Sequence, residues 1–134
     1  MAEKFKLTIV TPDREFFNEE AEMVEFNTTE GEIGVYAGHA PLTVIVKPGI
    51  LTITQGETLR NAALHAGFVQ ILPEEITILA EIIEWPEEID AKRAEDAKQR
   101  AEGRIAERSA NIDVDRAQAA LMRAVARINA VGLK

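Results

Sequence analysis

The sequence predicts an antiparallel β-sandwich, or flattened barrel, of about ten short strands over residues 1–84, followed by an antiparallel α-helical hairpin over residues 85–134. Three observations carry this. As far as Glu84 the apolar residues come in short β-branched runs divided by turn chemistry. At Trp85-Pro86 the spacing becomes helical. The charge balance changes at the same place: residues 1–84 hold 14 acidic and 5 basic side chains, and residues 85–134 hold 9 acidic and 10 basic.

The strand signals are KLTIVT from Lys6, EMVEF from Glu22, LTVIV from Leu42, GILTIT from Gly49, FVQIL from Phe68 and EITILAEII from Glu75. Thr11-Pro12-Asp13, Glu30-Gly31, Gly38-His39-Ala40-Pro41, Lys47-Pro48-Gly49, Gln55-Gly56, Ala66-Gly67 and Leu72-Pro73 punctuate them as turns. With no helical pattern between them, neighbouring strands are expected to pair as hairpins. The segment Gly31–Leu42, GEIGVYAGHAPL, is the densest turn region. It reads either as a tight corner whose glycines supply positive φ or as a rigid contact loop presenting His39. His65 reads as a strand residue beside a bulge at Gly67.

In the second part Pro86 precedes a helix start, Asp90 is a good N-cap, and Glu87 and Glu88 suit the positive end of the helix dipole. Ala94, Ala97, Ala101 and Ile105 form a narrow apolar stripe. Ser109 to Ile112 is a break, and Asp113 caps a second helix in which Ala117, Leu121, Ala124, Ile128 and Val131 follow a 4-3-4-3 seam. A short connection makes the helices antiparallel neighbours. At about 25 cal/mol per Å² an alanine seam stabilises weakly, so the hairpin is expected to dock conditionally.

Composition excludes several classes. The chain has no cysteine, hence no disulfide framework, thiolate metal site or Cys nucleophile. It shows no signal-like start and no apolar run near the roughly 18 residues of a membrane span, so neither export nor direct membrane insertion is expected. The acidic first part argues against nucleic acid as a partner. From Arg116 to Lys134 there is no acid, so the last helix calls for an acidic partner or an anionic ligand. No phosphate-binding glycine loop, hydrolytic carboxylate cluster or Ser–His pairing occurs.

One motif occurs twice: Ile-Asp-x-x-Arg-Ala at Ile89, Asp90, Arg93 and Ala94, and again at Ile112, Asp113, Arg116 and Ala117. Each copy alone is an ordinary capped helix opening with a local ion pair. Arginines follow seven and eleven positions after the first one in each copy, at Arg100 and Arg104, then at Arg123 and Arg127, on one helix face. In an antiparallel hairpin Arg127 falls opposite Arg93, and Arg123 falls near Arg100. These four arginines are expected to converge at the open end, beside a helix N-terminus. Such a cluster repels itself without an anion, and its forks suit phosphate oxygens. Glu84 and Asp90 can accept from the exocyclic amino group of a base. A nucleoside polyphosphate answers both demands, sensed rather than hydrolysed.

The ordered motifs LTIVTPDREFF, GEIGVYAGHAPL, AALHAGFVQILPEEITILAE and EIDAKRA resemble the epsilon subunit family of bacterial F-type ATP synthase, over essentially the whole chain. One departure is Ala37, where many members have Pro. The resemblance implies a non-catalytic rotor subunit at the cytoplasmic face of the bacterial membrane. Its sandwich would meet the gamma subunit and the c-subunit ring, with Gly31, Glu32, Gly38 and His39 in the contact region. The hairpin would inhibit ATP hydrolysis when extended into the alpha/beta catalytic head, where Arg116, Arg123 and Arg127 would meet acidic beta-subunit segments. Folded down, it would bind ATP as a regulatory ligand rather than a required cofactor. Carried over by position, the ATP residues are Glu84, Ile89, Asp90 and Arg93, with Arg100, Arg123 and Arg127 on the phosphate side. Two other readings are a stand-alone ATP-sensing module and a generic adaptor whose arginines only solvate a helix face.

Overall fold

The structure, a computed structural model, describes residues 3–107 and 113–133. Ten strands come first: β1 (Phe5–Val10), β2 (Glu15–Ala21), β3 (Met23–Thr28), β4 (Gly31–Tyr36), β5 (Leu42–Val46), β6 (Gly49–Gln55), β7 (Thr58–Leu64), β8 (Gly67–Ile71), β9 (Glu75–Ala80) and β10 (Ile83–Glu84). A single 3-10 turn at Pro86–Glu88 leads into α1 (Ala91–Glu107) and α2 (Val114–Gly132). The expected break from Ser109 to Ile112 lies outside the described residues.

Period-two alternation builds the sandwich. In β1, Phe5, Leu7 and Ile9 are buried while Lys6 points out. Val24 and Phe26 of β3, Leu51 and Ile53 of β6, Val69 and Ile71 of β8, and Ile76 and Ile78 of β9 meet them in one closed core. The strands follow the order β10-β7-β6-β3-β5-β8-β9-β1-β2, with β4 added to β3.

Three local expectations are corrected. The pairing is not antiparallel throughout, because β1 lies parallel to β9, Leu7 opposite Ile76 and Ile9 opposite Ile78. These strands are joined through the rest of the sandwich rather than by a turn, so no hairpin constrains their direction. The glycine-rich segment from Gly31 is not all corner: Gly31–Tyr36 is strand β4, hydrogen-bonded to β3 along its length. Gly31 and Gly38 do take positive φ, 119° and 83°, at its two ends. His65 is not a strand residue; it follows β7 and donates its backbone N–H to Ile82 O at 3.0 Å.

The hairpin lies against the sandwich through α2, which touches β6, β7 and the 3-10 turn. At 100° per residue, Ala117 and Ala124 share one side of α2, and Ala126 and Ala130 lie on the other. All four are buried. The second helix is therefore wedged between α1 and the sheet. Alanine on both faces lets it approach each neighbour closely.

Candidate nucleotide groove at the hairpin–sandwich junction

The local chemistry of both motif copies is the same. Asp90 Oδ1 accepts from Arg93 N at 3.1 Å, and Asp113 Oδ1 accepts from Arg116 N at 3.1 Å. Their surroundings differ. The first copy opens α1 directly beside β10, whose Glu84 pairs in register with Ala63 of β7. Between them, Glu84, Glu88, Ile89, Asp90, Arg93, Ala94, Ala97, Arg100 and Arg127 line a groove of about 350 Å³. That volume lies within the usual range of small-ligand clefts.

Glu84 is the centre of its polar network. Its Oε1 accepts from Arg127 Nε at 2.7 Å and lies 3.0 Å from Nε2 of His65. The hydrogen bond with His65 is the main cause that holds the Glu84 carboxyl below its ordinary value; burial opposes it, and Arg127 adds a further hydrogen bond and charge. The Arg127–Glu84 pair joins α2 to the sandwich with both side chains mostly covered, 28% and 25% exposed.

The residue after Glu84 is fixed by aromatic packing. Trp85 stacks on Phe16 at 4.2 Å between ring centroids, and the Arg60 guanidinium sits 4.0 Å above the Trp85 ring. Glu88 was expected to serve the helix dipole. Instead its Oε1 accepts from Trp85 N at 2.9 Å and from Arg14 Nη2 at 2.8 Å. The Arg14 hydrogen bond lowers the Glu88 carboxyl, against a smaller effect of burial.

Six of the seven residues expected at a nucleotide site thus line one groove: Glu84, Ile89, Asp90, Arg93, Arg100 and Arg127. Arg123 does not line it. One turn before Arg127 on α2, it is part-buried elsewhere, so three arginines converge rather than four. Arg116 is exposed at the start of α2, about 16 Å along the helix from Arg127. The four residues expected at a stalk contact are not together either. Gly31 and Glu32 begin β4, while Gly38 and His39 lie in the turn beyond its other end, so about 13 Å of extended strand separates Glu32 from that turn. His39 Nδ1 lies 2.7 Å from the carbonyl oxygen of Ala40, a local loop contact.

Two features escaped the sequence reading. His65 carries no signal in the sequence beyond that of a strand residue, yet it is 1% exposed and supports Glu84. Ile45, Phe68 and Leu79, each exposed, sit side by side across β5, β8 and β9 and continue to Val10 of β1. This apolar row was legible only as the outward positions of strands whose pairing was not yet known.

Residues 4–86 match the family model described as ATP synthase, Delta/Epsilon chain, beta-sandwich domain, and residues 87–132 match ATP synthase, Delta/Epsilon chain, long alpha-helix domain. The chain belongs to the ATP synthase delta/epsilon family. It is 44% identical over 126 residues to the ATP synthase epsilon chain of Ruminiclostridium cellulolyticum, covering 94% of each chain. It is 47% identical over 131 residues to that of Clostridium kluyveri, covering 96% of this chain and 98% of the relative. Among solved structures, a chain of the Euglena gracilis mitochondrial ATP synthase assembly of OSCP, F1 and c-ring superposes with a TM-score of 0.83 at 22% identity, over 98% of this chain and 82% of that one. At that identity the superposition shows that the delta/epsilon fold is shared. No helix among the described residues is long and apolar enough to cross a membrane.

Proposed function

We propose that the protein is a non-catalytic central-stalk subunit of an F-type ATP synthase at the cytoplasmic face of a bacterial membrane, and that its hairpin is an ATP-sensitive brake on ATP hydrolysis. The observation that carries the regulatory part is the composition of the groove. Its walls come from the sandwich edge at Glu84, the start of α1 at Asp90 and Arg93, and α2 at Arg127. A ligand held there touches both halves of the molecule and exists as a bound species only while the hairpin is folded down. By mass action it stabilises that state in proportion to its occupancy.

The chemistry suits ATP. Arg93, Arg100 and Arg127 supply forks for phosphate oxygens, and the carboxylates of Glu84 and Asp90 supply acceptors for a base amino group. With no ligand, the hairpin holds to the sheet through buried alanines, part-buried apolar side chains of α2 and, among the described residues, the Arg127–Glu84 ion pair, an attachment weak enough to release. Once extended, α2 offers Arg116, Arg123 and Arg127 without an acid among them to the acidic beta subunits of the catalytic head. Relatives bearing the epsilon-chain name, and a shared fold seen in assemblies described with F1 and a c-ring, support gamma and c-ring contacts for the sandwich. The exposed row of Ile45, Phe68 and Leu79 gives such a contact an apolar surface.

The test is a calorimetric titration of ATP into the wild-type protein and into Asp90→Ala/Arg93→Ala. Measurable binding without Mg²⁺, strongly weakened in the double variant, is expected; equal affinity in both would overturn the site. For the brake, full-length protein should inhibit the ATPase of the assembled enzyme and a chain ending after Ile89 should not. That end point keeps Trp85 on Phe16 and Glu88 on Arg14, both of which a cut at Glu84 would remove.

A further inference from the structure

His65 is placed by backbone constraints that leave it little choice. Its N–H is tied to Ile82 O, and Gly67 two residues later has φ of +149°. A Cβ at Gly67 would overlap the carbonyl oxygen of Leu79, so the chain can pass β9 here only as glycine. The imidazole is turned inward and is 1% exposed. Nε2 faces Glu84 at 3.0 Å, and Nδ1 is buried with no partner among the described residues.

The network decides which nitrogen carries the proton. Glu84, depressed below the ordinary carboxylate range, is ionised at neutral pH and can only accept. With hydrogen on Nδ1 alone, a lone pair on Nε2 would confront that carboxylate and a buried N–H would go unmet. The neutral imidazole protonated on Nε2 avoids both and leaves only a lone pair unused. His65 is therefore a donor to the same Oε1 that accepts from Arg127 Nε. The terminal nitrogens of Arg127 have no hydrogen-bond partner among the described residues, and Arg127 lines the groove.

We propose that His65 is a positioning residue of this groove. Its buried Nε2–H fixes the Glu84 carboxylate in the orientation that grips Arg127 by Nε, leaving the terminal guanidinium nitrogens for the phosphate of a bound nucleoside polyphosphate. Only that last clause rests on the nucleotide reading above; the grip on α2 stands without it. A carboxylate lacking the donor turns freely about its broad terminal torsion, and Arg127 must then be ordered by the ligand itself.

The experiment compares wild type with His65→Gln, whose amide nitrogen falls near Nε2, and His65→Asn, whose amide nitrogen falls near Nδ1. The readouts are the Arg127 Nε–H resonance in ligand-free protein and the calorimetric affinity for ATP. Wild type and His65→Gln should show a slowly exchanging resonance and ATP affinities within about threefold. In His65→Asn the resonance should collapse while methyl signals of the sandwich core stay in place. Its ATP affinity should fall about tenfold, the scale expected for losing one hydrogen bond to a charged partner. In a Glu84→Gln background His65→Asn should cause no further loss, because the two residues act as one unit. An unmoved resonance in His65→Asn, no rescue by His65→Gln, or additive losses would each overturn the proposal. If wild type fails to bind ATP but the resonance still depends on His65, the nucleotide reading falls and the grip on α2 stands. If ATP binds wild type and His65→Asn alike with the resonance unmoved, the reverse holds.

Discussion

The sandwich and the hairpin are stabilised by different means. The sandwich buries whole Phe, Leu and Ile side chains: Phe26, Leu51 and Ile53 are at most 1% exposed. Among the described residues of the two helices the fully covered ones are alanines, Ala94 and Ala101 on α1 and Ala117, Ala124, Ala126 and Ala130 on α2. A buried Leu-sized side chain contributes about 1.5–3 kcal/mol, and a single methyl only a fraction of that. Alanine allows helices to sit close, but it does not hold them strongly. The difference separates a rigid body that fixes position from an arm whose docking depends on a few polar contacts.

The largest effects that test this contrast belong in the sandwich. Phe26→Ala should cost about 3–5 kcal/mol, read as a large drop in Tm, because it opens a cavity that the paired sheet cannot collapse into. Gly67→Ala should follow at about 2–4 kcal/mol. Its methyl would meet Leu79 O and Ala80 Cα in a backbone conformation that side chains rarely adopt. If either substitution left the melting curve of the sandwich unchanged, the assignment of stability to this core would fail.

A smaller effect separates the hairpin. Arg127→Ala removes the ion pair between α2 and Glu84, and should loosen docking by about 1–2 kcal/mol. Hydrogen exchange should then speed up along α1 and α2 while β1, β6 and β9 keep their protection. Equal acceleration in both parts would mean that they open as one unit, and the contrast would be wrong.

These differences also explain what the sequence could and could not reveal. Alternation in KLTIVT and EITILAEII shows the strands, and Asp90 and Asp113 show where helices start, because those signals are local. The parallel β1–β9 pair is not local; it depends on chain closure through seven intervening strands. In EFFNEEA from Glu15, adjacent Phe16 and Phe17 are both buried, which breaks the period that would have marked β2. The seam from Ala117 to Val131 was visible on α2, but Ala126 and Ala130 carry no apolar signal strong enough to reveal a second buried face. For the site, helical arithmetic brought Arg93, Arg100 and Arg127 together correctly. It carried Arg123 along because it treated the two helices as facing cylinders and left out the sheet beneath α2. His65 could not be found that way, since its partner Glu84 lies nineteen positions later on a strand whose register only the fold supplies.

The smallest effect is the pH response of the attachment, and its sign follows from Glu84. The folded carboxyl is depressed by His65 first and Arg127 next, with burial opposing them. Such a group binds protons more weakly when folded than when unfolded or released. Its contribution is therefore fully present above the ordinary carboxylate range, and it is lost as pH falls from there through the depressed folded value. Hairpin docking should be flat from neutrality down to mild acid and weaken only below it, before the apolar sandwich core responds. A spectroscopic distance between a label on α2 and one on β6, followed from pH 7 downward, measures this. Glu84→Gln should remove the acid-dependent step and dock more weakly at pH 7. A step that survives Glu84→Gln would assign the acid sensitivity to another group, with Glu88, lowered by Arg14, the next to test.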